Sequence, residues 1–89
     1  MSITDVRVYL RSREDKLKAF ASVTLDAAFA VKDLKVVDGS KGLFVSYPSK
    51  KKADGTYRDL AHPVTRELRE EIQSQVLDAY QKALEAHAR

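Results

Sequence analysis

Three consecutive lysines, Lys50, Lys51 and Lys52, are the residues of this sequence best suited to binding a ligand. With Lys41 they are the four basic residues between positions 39 and 53, a segment that has no acidic residue. Ammonium groups attract phosphate oxygens whatever base is attached, so the segment predicts contact with a nucleic-acid backbone. The alternative is a solvated loop whose lysines only keep the edge of a sheet from pairing with another strand.

Two arginines and two tyrosines flank these lysines. Arg58 and Arg66 could extend the basic surface, although Arg58 could equally pair with Asp59 or Asp54. Tyr47 and Tyr57 bracket the lysines, where an aromatic ring could stack on an unpaired base. For both tyrosines the alternative is packing in the core.

Ser49, Asp59 and His62 come nearest to a catalytic set. A nucleophile needs a base within hydrogen-bond reach and donors for the developing oxyanion. The sequence has no nucleophile elbow, phosphate-cradling glycine loop or metal-ligand spacing to accompany them. Without cysteine there is also no thiolate ligand or thiol nucleophile. We therefore expect no enzyme, metal site, cofactor or small-molecule substrate, and we expect His62, just before Pro63, to cap or pin the strand-to-helix turn.

The composition predicts one small folded domain over residues 1–89. The chain is 44% hydrophobic, enough to build a core, and its formal charge is +3. Residues 1–64 hold 12 Lys and Arg against 8 Asp and Glu, whereas residues 65–89 hold 4 against 5. We therefore expect a polyanion to bind residues 1–64 more than residues 65–89. No apolar run is long enough to span a membrane and no signal layout opens the chain, so we expect a cytoplasmic protein.

The hydrophobic pattern of residues 1–63 predicts strands. Apolar residues alternate with polar ones over 3–10 and 17–25, with the odd positions from Leu17 to Leu25 facing inward and Phe20 breaking the polar face. A third strand over 29–37 changes phase near Lys32 and Asp33, which a β-bulge would explain. Residues 43–45 make a fourth strand, and the Asp54-Gly55 turn leads to a short fifth strand over 56–61.

The last part of the chain, residues 64–89, predicts one long helix. Thr65 is a suitable N-cap, and apolar residues recur at spacings of three and four from Leu68 to Leu84. The fold class is therefore α+β, an antiparallel sheet of four to five strands followed by one C-terminal helix. The apolar stripe should cover one face of the sheet, with a dimer seam as the alternative.

Several short motifs occur in one order along the chain. They are Ile3-Thr4-Asp5-Val6-Arg7, Val23-Thr24-Leu25-Asp26, Asp38-Gly39-Ser40-Lys41-Gly42-Leu43-Phe44-Val45, Pro48-Ser49-Lys50, Asp54-Gly55 and Arg58-Asp59-Leu60-Ala61-His62-Pro63. Together they resemble the SpoVG family of bacteria, known as stage V sporulation protein G or septation regulator, from about residue 2 to about residue 84.

The resemblance implies a dimeric regulator that binds DNA and RNA and influences septation, sporulation or gene expression. In that family, basic residues of the segment matching 48–58 are implicated in nucleic-acid binding. This assignment falls on Lys50, which matches the motif, and on Lys51, where another basic residue is common; Lys52 is an addition beside them.

Phe20, Leu43, Phe44 and Val45 are the candidate dimer residues. They combine an outward aromatic ring with an apolar strand, and sheet edges attract partners unless they are blocked. A second interpretation stays open, in which the protein is a dimeric interaction regulator of cell division without specific nucleic-acid targets.

Overall fold

The computed structural model describes residues 1–11 and 15–87, which form six strands and one helix. The first four strands make an antiparallel sheet in the order β1-β2-β3-β4, and the last two pair separately as a two-stranded sheet. This arrangement confirms the expected α+β fold with a C-terminal helix. The elements are β1 (Ile3–Leu10), β2 (Leu17–Leu25), β3 (Phe29–Gly39), β4 (Gly42–Ser46), β5 (Ser49–Lys51), β6 (Tyr57–Asp59) and α1 (Arg66–His87).

The alternation predicted for β1 and β2 is confirmed except at one residue. Val6 and Val8 pack against the core while Tyr9 is exposed, as a period of two requires. Leu17 was expected inside, but a register shift pairs it with Val37, whose side chain lies on the face away from the core. The charged turn predicted between the two strands includes residues 12–14, which lie outside the described residues.

The predicted β-bulge in β3 is confirmed. Between Ala21 and Val23 the β2–β3 register shifts, so that Lys32 and Asp33 face a single residue of β2. Asp33 has φ +63°, a left-handed conformation that aspartate tolerates better than most residues. The extra residue reverses the alternation and brings Leu34 into the core, where it is 0% exposed.

The predicted fifth strand is wrong in length and in place. Only Tyr57–Asp59 forms a strand, and it pairs with Ser49–Lys51 instead of joining the main sheet. The expected Asp54-Gly55 turn does connect the two strands, and Gly55 has φ +91°, which favours glycine. Lys50 and Lys51 therefore lie on a strand and not in a loop. We call residues 49–59 the basic hairpin.

The helix begins close to where the sequence predicts and covers Arg66–His87 of the described residues. The hydroxyl of Thr65 accepts a hydrogen bond of 3.2 Å from the Leu68 amide, so the predicted N-cap is confirmed. α1 has 22 residues and is about 33 Å long at a rise of about 1.5 Å per residue. Among the described residues, no helix combines the length and apolar character that crossing a bilayer requires.

The four-stranded sheet has one covered face and one open face. Ile72, Val76 and Tyr80 of α1 are buried against the covered face, which confirms the expected use of the apolar stripe. On the opposite side, which we call the outer face, no described element packs against the strands. The buried core consists of Ala19, Ala21, Val23, Leu34, Val36, Val45, Tyr47, Ile72, Val76 and Tyr80.

Candidate nucleic-acid interface

Polar contacts hold the turn of the basic hairpin. The Lys52 amide donates to the Thr56 carbonyl at 2.7 Å, and the Gly55 amide donates to the Lys52 carbonyl at 3.1 Å. The Asp54 carboxylate accepts from the Thr56 hydroxyl at 2.6 Å and from the Thr56 amide at 3.0 Å. These bonds favour the ionised form, and they lower the pKa of Asp54, the hydroxyl contributing most. The turn thus fixes how the two strands pair.

The pairing divides the hairpin side chains between two faces. Lys50 is directly opposite Arg58, so these two cations share one face. Lys51 is opposite Tyr57, which places an ammonium group beside an aromatic ring on the other face. Every residue from 50 to 60 is exposed. The hairpin therefore presents a pair of cations on one side and a cation with a ring on the other.

A concave surface runs along the basic hairpin and is bordered by residues from both of its faces. Lys50, Lys51, Lys52 and Arg58 all line it, together with Asp59 near one end. The structure thus brings together four of the six cations that the sequence singles out. An open, exposed groove of this kind suits a flexible, charged chain better than an enclosed small molecule.

The hairpin cations take no part in the ion pairs found among residues 1–11 and 15–87. Those four pairs join Arg7 to Asp5, Arg11 to Asp15, Arg66 to Glu70 and Lys82 to Asp78. The intramolecular pairing that the sequence left open for Arg58 is therefore not formed with either neighbouring aspartate. Two unpaired cations facing each other across a strand pair repel, and an external anion would relieve that repulsion.

The two tyrosines predicted for base stacking differ in their surroundings. Tyr57 is 69% exposed and its ring is open to solvent beside Lys51. Tyr47 is only 7% exposed and belongs to the core, with the Arg69 guanidinium 5.3 Å from its ring centroid. Burial under the start of α1 removes Tyr47 from the candidate stacking residues. The alternative of core packing applies to it instead.

The remaining two cations do not join the hairpin groove. Arg66 lies at the start of α1, and its Nε is 3.1 Å from the Glu70 carboxylate, a partner that the sequence pattern did not assign to it. Lys41 is in the turn between β3 and β4. At about 3.4 Å per residue, β4 carries the chain roughly 15 Å from that turn before the hairpin begins. Neither residue lines the groove.

The four candidate dimer residues also separate. Phe44 is 42% exposed on the outer face and half-buried Phe20 shares that face. Val45 is buried in the core, and Leu43 packs against it. Their side chains do not share the face of Phe44, because successive residues of a strand point to opposite faces. β4 is an edge strand of the sheet, so a dimer formed by pairing along positions 43–45 stays a prediction.

Sequence reasoning missed an outer-face aromatic residue. Tyr9 is exposed and is the cross-strand partner of Phe20, while Val37 is the partner of Phe44. The clean alternation of β1 already placed Tyr9 opposite the core-facing valines, which is the signal that could have found it. On the outer face lie three aromatic residues and one valine, which we call the aromatic patch: Tyr9 and Phe44 are exposed, whereas Phe20 and Val37 are half-buried. Lys35 is the partner of Phe20 on β3, and the Arg11 guanidinium lies 5.9 Å from the Phe20 ring centroid.

The nearest approach to a catalytic set lacks a catalytic arrangement. Ser49 and Asp59 are cross-strand neighbours, but His62 places its Nδ1 at 3.1 Å from the Pro63 carbonyl oxygen, in the turn before α1. This contact matches the structural role expected for His62. Within the described residues, no group of three or more His, Cys, Asp or Glu side chains could hold a metal ion.

Together these features define a small α+β protein whose candidate site is an exposed basic surface. Comparison with known proteins makes the family explicit, since the SpoVG profile matches residues 1–82. A "Putative septation protein SpoVG" of Heliobacterium modesticaldum is 56% identical over 84 residues, covering 94% of each chain. The protein of that name from Lachnospira eligens is 51% identical over 83 residues, 93% of this chain and 94% of its own. The chain belongs to the SpoVG family.

Proposed function

We propose that this protein is a nucleic-acid-binding regulator that contacts DNA or RNA phosphates through the basic hairpin. The observation that carries the proposal is the set of four exposed cations clustered on the basic hairpin, none of them in an ion pair within the described residues. The family resemblance implies the same activity for this segment. The septation named in its relatives extends the proposal to control of septation. The family resemblance adds sporulation and gene expression as processes that the protein would influence.

The cross-strand pairs indicate how such a ligand would lie. A phosphate between Lys50 and Arg58 would replace their repulsion by two attractions. On the other face, Lys51 could contact a phosphate while the Tyr57 ring stacks on a base. The only helix described carries three glutamates against two arginines in its first six residues, and this net negative charge opposes its entry into a groove lined by phosphates. We therefore expect weak sequence preference and a preference for single-stranded or flexible segments.

The test is binding of labelled single-stranded RNA, single-stranded DNA and duplex DNA across a salt series. The variant Lys50→Ala/Lys51→Ala/Lys52→Ala should bind more weakly, and the slope of log affinity against log salt should flatten by up to about three. A matched control removes three exposed lysines elsewhere, Lys16, Lys32 and Lys82, and so loses the same net charge. It should change affinity far less.

Tyr57→Ala separates stacking from charge. If the ring stacks on a base, this variant loses affinity for single strands, by about 1–3 kcal/mol, and loses little for duplex DNA. Its salt slope should stay that of the wild type, since no charge is removed. Equal affinity of the lysine variant and its matched control, with equal slopes, would show that the basic hairpin is not the contact surface.

We also propose that the protein acts as a homodimer formed through the aromatic patch of the outer face. Phe44 is well exposed there, and Tyr9 pairs with Phe20 on the same surface. Large exposed aromatic groups mark interaction surfaces, and pairing would bring two short basic hairpins into one assembly. Sedimentation of Phe20→Ser/Phe44→Ser should show a monomer, whereas Leu60→Ser, at another exposed apolar residue, should leave the dimer intact.

The same aromatic patch favours a second candidate, a regulator of cell division that acts through protein partners. Crosslinking in cells followed by sequencing distinguishes the two. Defined nucleic-acid targets that disappear in the triple-lysine variant support the first proposal. Partners that survive nuclease treatment and disappear in Phe20→Ser/Phe44→Ser support the second.

A further inference from the structure

Asp59 is an acidic residue among the cations that border the groove of the basic hairpin. It is exposed, and it takes part in none of the four ion pairs found within residues 1–11 and 15–87. A carboxylate repels phosphate, so Asp59 opposes the backbone contacts that we propose for the neighbouring lysines. An ionised carboxylate accepts hydrogen bonds and donates none, which suits the N–H groups on the edge of a base. Asp59 is therefore a candidate contact for a base and not for a phosphate.

The register places Asp59 beside the ring proposed to stack on a base. Side chains alternate between faces along a strand, so Asp59 and Tyr57 share one face of the hairpin, about 7 Å apart along β6. Ser49 and Lys51 complete that face as the cross-strand partners of Asp59 and Tyr57, respectively. A base stacked on the Tyr57 ring can therefore turn one edge toward Asp59 while its phosphate meets Lys51.

Ser49 and Asp59 together offer a hydroxyl donor next to a carboxylate acceptor. The Leu60 amide donates to the Pro48 carbonyl at 2.7 Å. The next residues, Ser49 and Asp59, are therefore a pair without backbone hydrogen bonds, and the side chains of such a pair lie closer together. The Cβ atoms of directly opposite residues are about 4.5–5.5 Å apart, so both side chains can reach one base edge.

This combination of donor and acceptor matches the pairing edge of one base. Guanine presents an acceptor, O6, followed by two donor groups, N1–H and the 2-amino group. Uracil and thymine present a single N–H between two carbonyl oxygens, which a carboxylate would repel. Adenine and cytosine have an amino donor but no acceptor on the matching side. In a single strand these edges are open to a protein, so the Ser49 and Asp59 pair favours guanine.

We propose that Asp59, together with the Ser49 hydroxyl, selects guanine at one position of a bound single strand. The carboxylate accepts from N1–H and the 2-amino group, the hydroxyl donates to O6, and the Tyr57 ring stacks on the base. The inference rests on the proposed nucleic-acid binding by the basic hairpin and names the base preference of that same surface. Because it concerns one nucleotide, it agrees with weak sequence preference along the rest of the strand.

Asp59 also influences the core, and that structural effect has to be separated from base selection. Burial raises the pKa of Tyr47 most, Arg69 lowers it, and the charge of Asp59 raises it. Removing the Asp59 charge would therefore alter the surroundings of Tyr47 whichever strand is bound. A purely structural role would change the affinity for every strand by the same factor, so the base preference is the decisive measurement.

Short labelled RNA strands that differ at one base test the proposal. The probes are an all-uracil strand and the same strand with one central guanine, adenine, cytosine or inosine, the last of which lacks only the 2-amino group of guanine. The wild type should bind the guanine strand at least about five-fold more tightly than the all-uracil strand, the lower end for a bidentate contact to a base edge. The inosine strand should lose part of this gain. These comparisons need no variant.

Variants then assign the preference to one side chain. Asp59→Asn should bind the all-uracil strand more tightly than the wild type does, because the repulsion of phosphate is gone, and it should lose most of the guanine preference. Asp33→Asn is the matched control, since it removes an exposed carboxylate from β3 and asparagine tolerates its φ of +63°. It should keep the guanine preference. Ser49→Ala should weaken the preference without raising the affinity for the all-uracil strand.

Two results would overturn this proposal alone. The wild type binds the guanine and all-uracil strands equally, or Asp59→Asn keeps the full guanine preference. Both results are compatible with phosphate contacts by the lysines, which the triple-lysine variant tests on the all-uracil strand. Equal binding of that strand by the triple-lysine variant and its matched control would instead overturn the proposed function, and base selection by Asp59 would fail with it.

Discussion

The four-stranded sheet and the basic hairpin are held together in different ways. The sheet packs Leu34, Val36 and other apolar residues against α1, and none of the buried side chains described is polar or charged apart from tyrosine hydroxyls. The hairpin has no buried residue from 50 to 60 and depends on strand pairing and turn contacts. Stability is thus concentrated in the sheet and helix, whereas the candidate binding groups lie on a segment whose side chains contribute little burial.

This separation predicts that the two regions respond differently to mutation. Substitutions in the core should lower the free energy of global unfolding and leave the nucleic-acid affinity of the folded protein unchanged. Substitutions in the hairpin should change the nucleic-acid affinity and the free energy of local hairpin opening, while the free energy of global unfolding changes little. A protein organised in this way can vary its binding surface without losing its fold.

The largest effect should come from Leu34→Ala. Leu34 is fully buried, and truncating such a leucine leaves a cavity that costs about 2–5 kcal/mol of unfolding free energy. Urea denaturation measures this loss, and nucleic-acid affinity at low urea should match the wild type. Leu60→Ala, at a residue 67% exposed beside the hairpin, is the control and should cost no more than about 0.5 kcal/mol. Equal losses in the two variants would contradict the placement of the core.

Gly55→Ala should destabilise the hairpin alone. Its φ of +91° is strained for any residue with a side chain, at a cost of about 1–3 kcal/mol. Amide exchange at Lys52, whose N–H donates to the Thr56 carbonyl, should accelerate while the urea midpoint moves much less. Gly55→Asn should lose less protection, because asparagine tolerates positive φ. If the free energy of global unfolding measured in urea falls by as much as the free energy of hairpin opening measured by amide exchange, the two regions unfold as one unit.

Lys50→Glu should affect stability and binding in opposite directions. Glutamate opposite Arg58 turns a repulsive cross-strand pair into an attractive one and should stabilise the hairpin by about 0.2–1 kcal/mol. Nucleic-acid affinity should fall, since a phosphate contact becomes a repulsion. Lys51→Glu is the matched control, because its partner is Tyr57 and it should reduce affinity without the same gain in exchange protection. Protection that rises equally in both variants would refute the assigned register.

Most of the fold could be predicted from the sequence because local patterns determined it. The period of two located β1 and β2, the phase change in β3 located the bulge at Asp33, and Thr65 marked the helix start. The association of strands distant in sequence could not be predicted. The Asp54-Gly55 signal predicts the hairpin turn itself, but no local signal shows that neither of its strands joins the main sheet, since that depends on tertiary packing.

For the candidate site too, local sequence predicts one part and tertiary packing decides the other. Residue type and position sufficed to single out Lys50, Lys51 and Lys52, but their facing partners follow from the hairpin register. Tyr47 and Tyr57 look alike in the sequence, and only the position of α1 over one of them decides which is buried. The chemical character of a site can be predicted from the residue types in the sequence. Whether a side chain is accessible depends on which elements pack together.

The smallest effect should come from acidification, and it should be confined to the hairpin turn. The Thr56 hydroxyl and amide stabilise the Asp54 carboxylate, so its pKa lies below the ordinary value of 3.8. The contribution to turn stability is therefore present above that value and is lost as pH falls through the lower folded-state pKa. Thr56→Val removes the hydroxyl and keeps the amide, so the Asp54 titration followed by carboxyl NMR should move upward without fully reaching the ordinary value. Thr24→Val, on β2, should leave it unchanged. An Asp54 midpoint insensitive to Thr56→Val would show that the side-chain bond does not hold this turn, and the hairpin would then depend on strand pairing alone.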